Sequence, residues 1–268
     1  NNINISLIAD VHYRKDIAEK IANYVEKVRI NPGNYIDKNI KNNYSYNDNS
    51  YEIEKITNNL IPLVKTCVKN NTAIRIGINQ GSLSNRIKYL YGTDETALVK
   101  SALEFITAFN NLNFHNIILS IKSSNPITTV LANRLLIKEM IKNDINYPIH
   151  LGVTEAGDKI DATVKSLVGI GSLLMTGIGD TIRVSVTGNP VKEIPIAEKI
   201  IKAASPKKLM DKNYLLNLPL YKEDNDFKNN FILETIDNKK NIDKYNKTTI
   251  NVNELFDNYK RSNSNKLN

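Results

Sequence analysis

Residues 73–80 read Ala-Ile-Arg-Ile-Gly-Ile-Asn-Gln, an unbroken alternation. Successive side chains of an extended chain point to opposite sides, so Ile74, Ile76 and Ile78 share one face while Arg75, Gly77 and Asn79 share the other. Five more short apolar runs resemble this one: Ile5 to His12, Val28 to Gly33, Ile117 to Ser123, Ile149 to Glu155 and Thr181 to Thr187. A helix-period segment follows each, and strand-then-helix repetition predicts βαβ units around a parallel sheet. The interleaved helices carry apolar faces, such as Ile17, Ile21, Tyr24, Val25 and Val28 in the first and Leu98, Ala102, Phe105, Ile106 and Phe109 in the third. Asn125-Pro126 and Asn189-Pro190 each place a capping residue before a proline, marking two helix starts.

Parallel strands covered on both sides read as continuous Val, Ile and Leu. These runs are polar on one parity toward their C-terminal ends. Val28 and Ile30 oppose Arg29 and Asn31; Leu119 and Ile121 oppose Ser120 and Lys122; Ile182, Val184 and Val186 oppose Arg183, Ser185 and Thr187. A barrel explains this, since its outer strand face meets helices and its upper interior lies beneath substrate-holding loops. The expected fold is α/β, a TIM (β/α)8 barrel that is incomplete in this chain, with six of eight strand-helix units and an Asn/Lys-rich C-terminal extension. Residues 1–205 form the partial barrel, and 206–268 read as the start of an inserted domain or linker, partly disordered. The polar stretch from Tyr35 to about Tyr51 reads as a long loop over one end of the sheet.

Asp10 and His12 belong to the polar parity, and Glu155 closes the fifth run. Setting Arg29, Arg75, Lys122 and Arg183 against Asp10 and Glu155 leaves two positive charges unmatched. Uncompensated buried ions are costly, so the simplest counter-charge is a ligand with about two negative charges. Arginine suits forked contact with phosphate oxygens, and Thr187-Gly188-Asn189-Pro190 could add backbone donors at a helix start. The competing reading is an internal salt-bridge layer with no ligand. Beside Asp10, His12 is a candidate donor or proton source; Glu155 either holds its loop or acts as an acid or ligand to a hydroxyl. His115 and His150, without such company, read as structural.

At 268 residues and 41% hydrophobic, the chain can bury a full-sized core. No apolar run approaches the roughly 18 residues of a membrane span, and the start lacks both Met and a signal pattern, so it reads as a cut. The single cysteine, Cys67, excludes a disulfide framework and any site built from several thiolates. It lies on an apolar helix face with Leu60, Leu63 and Val64 and reads as a small buried hydrophobe. The net charge of +8 comes from 29 Lys scattered among many Asn, not from a basic stripe, so nucleic acid is not an expected partner; nor is a membrane. Gly169 and Gly171 fall inside a helix-period run and do not make a dinucleotide fingerprint. Asn43-Tyr44-Ser45 and Asn70-Asn71-Thr72 match a glycosylation acceptor, as an Asn-rich chain does by chance.

Taken in order, LIADVHY (7–13), VRINPGN (28–34), RIGINQGSLS (75–84), LSIKSSNP (119–126), HLGVTEAG (150–157) and GIGDTIRVSV (177–186) resemble the hydroxymethylbutenyl diphosphate synthases of the methylerythritol phosphate isoprenoid pathway. The likeness runs from about Ile5 to Glu198. The long stretch after Asn34, PLVKTCVKNN (62–71), GSLSNRI (81–87) and the tail resemble the plastid type, which implies a plastid or apicoplast-like location. The resemblance implies a barrel that grips a cyclic diphosphate, 2-C-methyl-D-erythritol 2,4-cyclodiphosphate. It also implies a separate domain holding a [4Fe-4S] cluster on three Cys and a Glu, and ferredoxin or flavodoxin as electron donor. Two electrons then open the ring and expel a hydroxyl as water. Carried over motif by motif, substrate-binding roles go to Asp10, His12, Arg29, Asn31, Arg75, Asn79, Ser120, Lys122, Glu155, Arg183 and Ser185; of these, His12 and Glu155 are the catalytic candidates on the residue reading above. The cluster ligands are absent from this chain, so the fragment alone is expected to be inactive, and no metal site is assigned. The alternative is a non-redox phosphate- or pterin-binding barrel transferase, or an aldolase with Lys122 as its Schiff-base amine.

Overall fold

The computed structural model describes residues 5–36, 44–46, 49–204 and 212–218. The chain divides into two compact units, Asn1–Leu220 and Tyr221–Asn268, and the second lies outside the described residues. Much of the expected loop from Tyr35 to Tyr51 lies outside them too.

Every one of the six apolar runs coincides at least in part with a strand: β1 (Ile8–Asp10), β2 (Lys27–Ile30), β3 (Ala73–Asn79), β4 (Ile117–Lys122), β5 (His150–Gly152) and β6 (Thr181–Arg183). Between and after them come α1 (Lys15–Ile21), α2 (Pro32–Tyr35), α3 (Asn49–Asn70), α4 (Asn85–Tyr91), α5 (Glu95–Asn111), α6 (Pro126–Lys142), α7 (Lys159–Ser166), α8 (Ser172–Met175), α9 (Glu193–Ala204) and α10 (Lys212–Leu216). The first four strands pair in parallel in sequence order, β5 pairs in parallel with β6, and a parallel bridge between Leu119 and Ile149 joins the two sets. Among the described residues β1 and β6 do not meet, so the strands form an arc of a barrel and not a closed one.

The core lies between this arc and the helices outside it. Val28, Ile30, Ile74, Ile76, Ile78, Leu119, Ile121 and Leu151 are buried on the outer parity, against Leu60, Leu63 and Cys67 of α3 and Leu98, Phe105 and Phe109 of α5. The expected faces of those two helices are therefore the buried ones. The first helix differs: it ends at Ile21, its buried residue is Ala18, followed by the buried C-cap Ala22, while Tyr24 is exposed and Val28 belongs to β2. Short alanines let α1 lie close to the sheet, where the larger Ile17 stays at the surface.

Asn125 accepts from the backbone N–H groups of Ile127 and Thr128, and Asn189 accepts from Val191 N, so both Asn-Pro pairs cap as expected. Beyond Ala204 the described chain resumes as α10, which lies against α6, with Leu218 in the core.

Candidate functional site

Arg29, on β2, is buried, and its guanidinium is fixed on three sides. Nη1 donates to Asp10 Oδ1 at 2.7 Å and lies 2.7 Å from His12 Nε2, while Nη2 donates to the Gly77 carbonyl at 2.8 Å. The tautomer with its proton on Nδ1 leaves Nε2 free to accept from the guanidinium. Asp10 and Arg29 are register partners across β1 and β2, which brings these groups together. Gly77 supplies the room: a Cβ there would stand 2.1 Å from Arg29 Nε. Burial raises the Asp10 carboxyl pKa, but the charge and hydrogen bond of Arg29, with help from His12 and Arg75, hold it below the usual value.

Lys122, on β4, lies across Gly152 of β5 in the same manner, since a Cβ at 152 would meet its Cε and Nζ at 2.8 Å. Its Nζ is 3.4 Å from His150 Nε2, and His150 Nδ1 is 2.8 Å from Thr181 Oγ1. Burial, then the charges of Arg75, Arg183 and Arg29, push the Lys122 ammonium down to about 7, against a smaller opposing pull from Asp10. Arg75, the register partner of Arg29, is buried, and its Nε has no hydrogen-bond partner. No carboxylate among the described residues lies within ion-pair distance of Arg75 or Lys122. The salt-bridge-layer alternative thus accounts for Arg29 with Asp10 but leaves the buried Arg75 and the part-buried Lys122 over.

The other predicted residues take varied places. Ser120 is buried beside Gly77 in the register of β3 and β4, and Asn79 pairs with Lys122. Asn31 is engaged at both ends of its amide, donating to Ser82 Oγ at 2.7 Å and accepting from Gly33 N at 3.1 Å as the cap of α2. Ser185 is half-buried. Arg183 departs from the inward, buried position expected of it. Its side chain is 53% exposed, because among the described residues no strand lies beyond β6, and its Nε lies 3.8 Å from Glu193 Oε2. Glu155 is exposed as well, at a left-handed φ of 51° that breaks strand alternation after Val153. Its carboxylate therefore does not offset the buried cations, contrary to the charge balance drawn from the sequence.

Two residues were missed. His150 sits within the cation cluster, where burial and then Lys122, Arg75, Lys27 and Arg183 push its pKa down to about 2. Lys27, half-buried on the parity of Arg29, is lowered by burial and by Arg75. Both follow from extending the two-residue alternation back to the first residue of their strands.

The described residues do not fit an iron–sulfur cluster. Such a cluster needs several thiolates, whereas Cys67 stands alone, buried on α3 with its thiol pushed up to about 12 by burial. No helix among the described residues is long and apolar enough to cross a membrane.

An arc of parallel strands carrying convergent cations on its inner face is what the resemblance led one to expect, and a model of the GcpE TIM-barrel domain matches residues 1–198. The chain belongs to the GcpE TIM-barrel domain family. It is 48% identical over 198 residues to a 4-hydroxy-3-methylbut-2-en-1-yl diphosphate synthase (flavodoxin) of Phocaeicola vulgatus, which covers 73% of this chain and 32% of that protein. A protein of the same name from Chlamydia muridarum is 45% identical over 216 residues, 80% of this chain and 36% of the relative. The Prochlorococcus marinus 4-hydroxy-3-methylbut-2-en-1-yl diphosphate synthase (ferredoxin) is 45% identical over 214 residues, 78% of this chain and 53% of its own length. The chain spans about a third of the first two GcpE relatives and about half of the third. None of these relatives supports the transferase or aldolase alternative.

Proposed function

We propose that this chain is the substrate-holding barrel section of a 4-hydroxy-3-methylbut-2-en-1-yl diphosphate synthase, and that it grips 2-C-methyl-D-erythritol 2,4-cyclodiphosphate. The carrying observation is Arg75: a buried guanidinium with an unpartnered Nε, beside a part-buried lysine with no carboxylate of the described residues in ion-pair reach. Groups of that kind persist in folded proteins where function requires them. In the proposed complex Arg75 and Lys122 bind phosphate oxygens. Arg29, fixed by Asp10 and His12, offers a pre-oriented edge, and Arg183 closes the set from the open side. Ser120, Ser185, Asn79 and Asn31 line or brace the same surface. His12 and Glu155, both within reach of solvent, are the proposed groups at the departing hydroxyl, which must take up a proton to leave as water.

The whole enzyme would carry out a two-electron reductive ring opening and dehydroxylation to hydroxymethylbutenyl diphosphate in isoprenoid biosynthesis. Flavodoxin or ferredoxin would be the donor, as the names of the relatives state for those proteins. An iron–sulfur cluster, implied by the resemblance, would need ligands beyond the described residues. The same proposal takes 206–268 as the start of an inserted domain. The chain covers 32% of one relative but 53% of another, so family members differ in length. A plastid or plastid-derived location is also proposed, on the likeness of the stretch after Asn34 to plastid-type members.

Calorimetry of the cyclic diphosphate against wild-type protein and Arg75→Met tests the assignment. One lost charge-assisted hydrogen bond costs about 1.5–3 kcal/mol, so affinity should fall about 10- to 100-fold. Because the substitution removes an uncompensated buried charge, the melting temperature should hold or rise. Unchanged affinity in Arg75→Met would refute the assigned pocket.

A further inference from the structure

We propose that His150 is a positioning residue for Lys122, with its neutral imidazole accepting from the ammonium and holding it across Gly152 toward the bound anion. The inference rests on the anion site proposed above.

An ammonium has three donors and no acceptor, so a charged Lys122 requires lone pairs around it. The groups facing it are mostly cations, Arg75 from β3, Arg183 from β6 and Arg29 from β2, opposed by the carboxylate of Asp10 on β1. The lone pair at hand is His150 Nε2, 3.4 Å away. Nε2 can accept when the ring proton sits on Nδ1, and Nδ1 then has an acceptor in Thr181 Oγ1 at 2.8 Å. One tautomer satisfies both contacts. Burial first, and then the charges of Lys122, Arg75, Lys27 and Arg183, keep His150 from gaining a proton, so it remains an acceptor throughout the neutral and alkaline range. Strand alternation completes the cradle. His150 and Gly152 lie on one face of β5, the first reaching Lys122 with a lone pair and the second admitting its stem for want of a side chain.

Pyrophosphate serves as the probe, titrated calorimetrically into the 268-residue chain across neutral and alkaline pH. Wild-type affinity should fall as Lys122 loses its proton. In His150→Leu the charged amine loses its acceptor, so that fall moves to lower pH by about one unit, which approaches about tenfold weaker binding at pH above both midpoints. His150→Gln, whose Oε1 can stand in the place of Nε2, should restore the wild-type midpoint. Thr181→Val provides a second variant on an exposed strand residue. Without Oγ1 to hold the Nδ1 proton, the ring can flip tautomer, and the midpoint should move the same way by less. A role confined to packing predicts lowered melting temperatures with unmoved midpoints, and that result overturns the inference. Wild-type affinity in Lys122→Met instead overturns the anion site itself, as does failure of the wild-type chain to bind pyrophosphate.

Discussion

Arg29 occupies the space that a side chain at position 77 would fill, so the two residues form one unit. Gly77→Ala must push Arg29 off Asp10 and His12, with an expected cost of about 1–3 kcal/mol in chemical denaturation and weaker binding of the cyclic diphosphate. An alanine variant that keeps both stability and affinity would contradict the contact. Lys122 gives a pH signature. Its pKa is lowered in the fold from 10.5 to about 7, so between those values the unfolded chain holds a proton that the folded chain has released. Stability therefore rises with pH through that window, by up to ~1.4 kcal/mol per unit, and stays low below it. Lys122→Met should be more stable than wild type near neutrality and converge with it toward pH 10.5, as followed by urea unfolding at several pH values. At this scale, strand alternation places Asp10, Arg29, Arg75, Ser120 and Lys122 on the inner face. Extended back along β5 it also reaches His150, but the meeting of that ring with Lys122, 28 positions away, is announced by no local pattern. Asn31 carries a signal that was legible: Asn31-Pro32 is a third Asn-Pro cap, like those at 125 and 189. Glu155 fell outside the rule because a left-handed residue ends the alternation.

Between α3, α4 and α5 lies a second ionic group, remote from the strands' inner face. Arg86 on α4 bonds to Glu104 on α5 and lies 3.8 Å from Glu52 Oε2 on α3, which Lys55 also approaches at 3.4 Å. All but the lysine are buried. Removing the cation shared by two buried carboxylates breaks the pairing at its centre, so Arg86→Ala should cost about 3–5 kcal/mol by denaturant unfolding, with the anion site otherwise intact. A loss within experimental error of zero would contradict the clamp. The Asn125 cap is a smaller contribution, and Asn125→Ala should cost about 1 kcal/mol in the same assay. Strand existence was legible because the parallel arrangement leaves one parity of every strand apolar. The end of α1 was not, since the apolar spacing runs on through Tyr24 and Val28 while the chain has already turned and entered β2. The Arg86 clamp joins residues far apart in sequence, and helix periodicity carries no trace of it.

Across the whole arc, the cations form one coupled set, and filling it should change how many protons the protein holds. A bound dianion favours the charged lysine, so binding slightly above neutral pH should take up a proton. Calorimetry in buffers of different ionisation enthalpy measures that uptake, and it should vanish in Lys122→Met. The open ends of the arc matter too. Ile5, Leu7 and Ile8 are exposed at β1, as Arg183 is at β6. The barrel class and the order of the strands were readable from the repeated motifs; the exposure of Arg183 was not, since it depends on what lies beside β6 and not on the residues within it. The two glycine contacts share one further property. Arg29 leans from β2 over Gly77 of β3, and Lys122 leans from β4 over Gly152 of β5, so each long cation crosses to the strand that follows its own. Both therefore tilt in the same rotational sense around the arc. Their donors make a handed fan, and mirror-image ligands laid on it would meet different hydrogen-bond directions even with no wall to exclude either. A chiral anion bound as proposed should therefore be held more tightly in one hand than in the other, a choice set by two missing side chains.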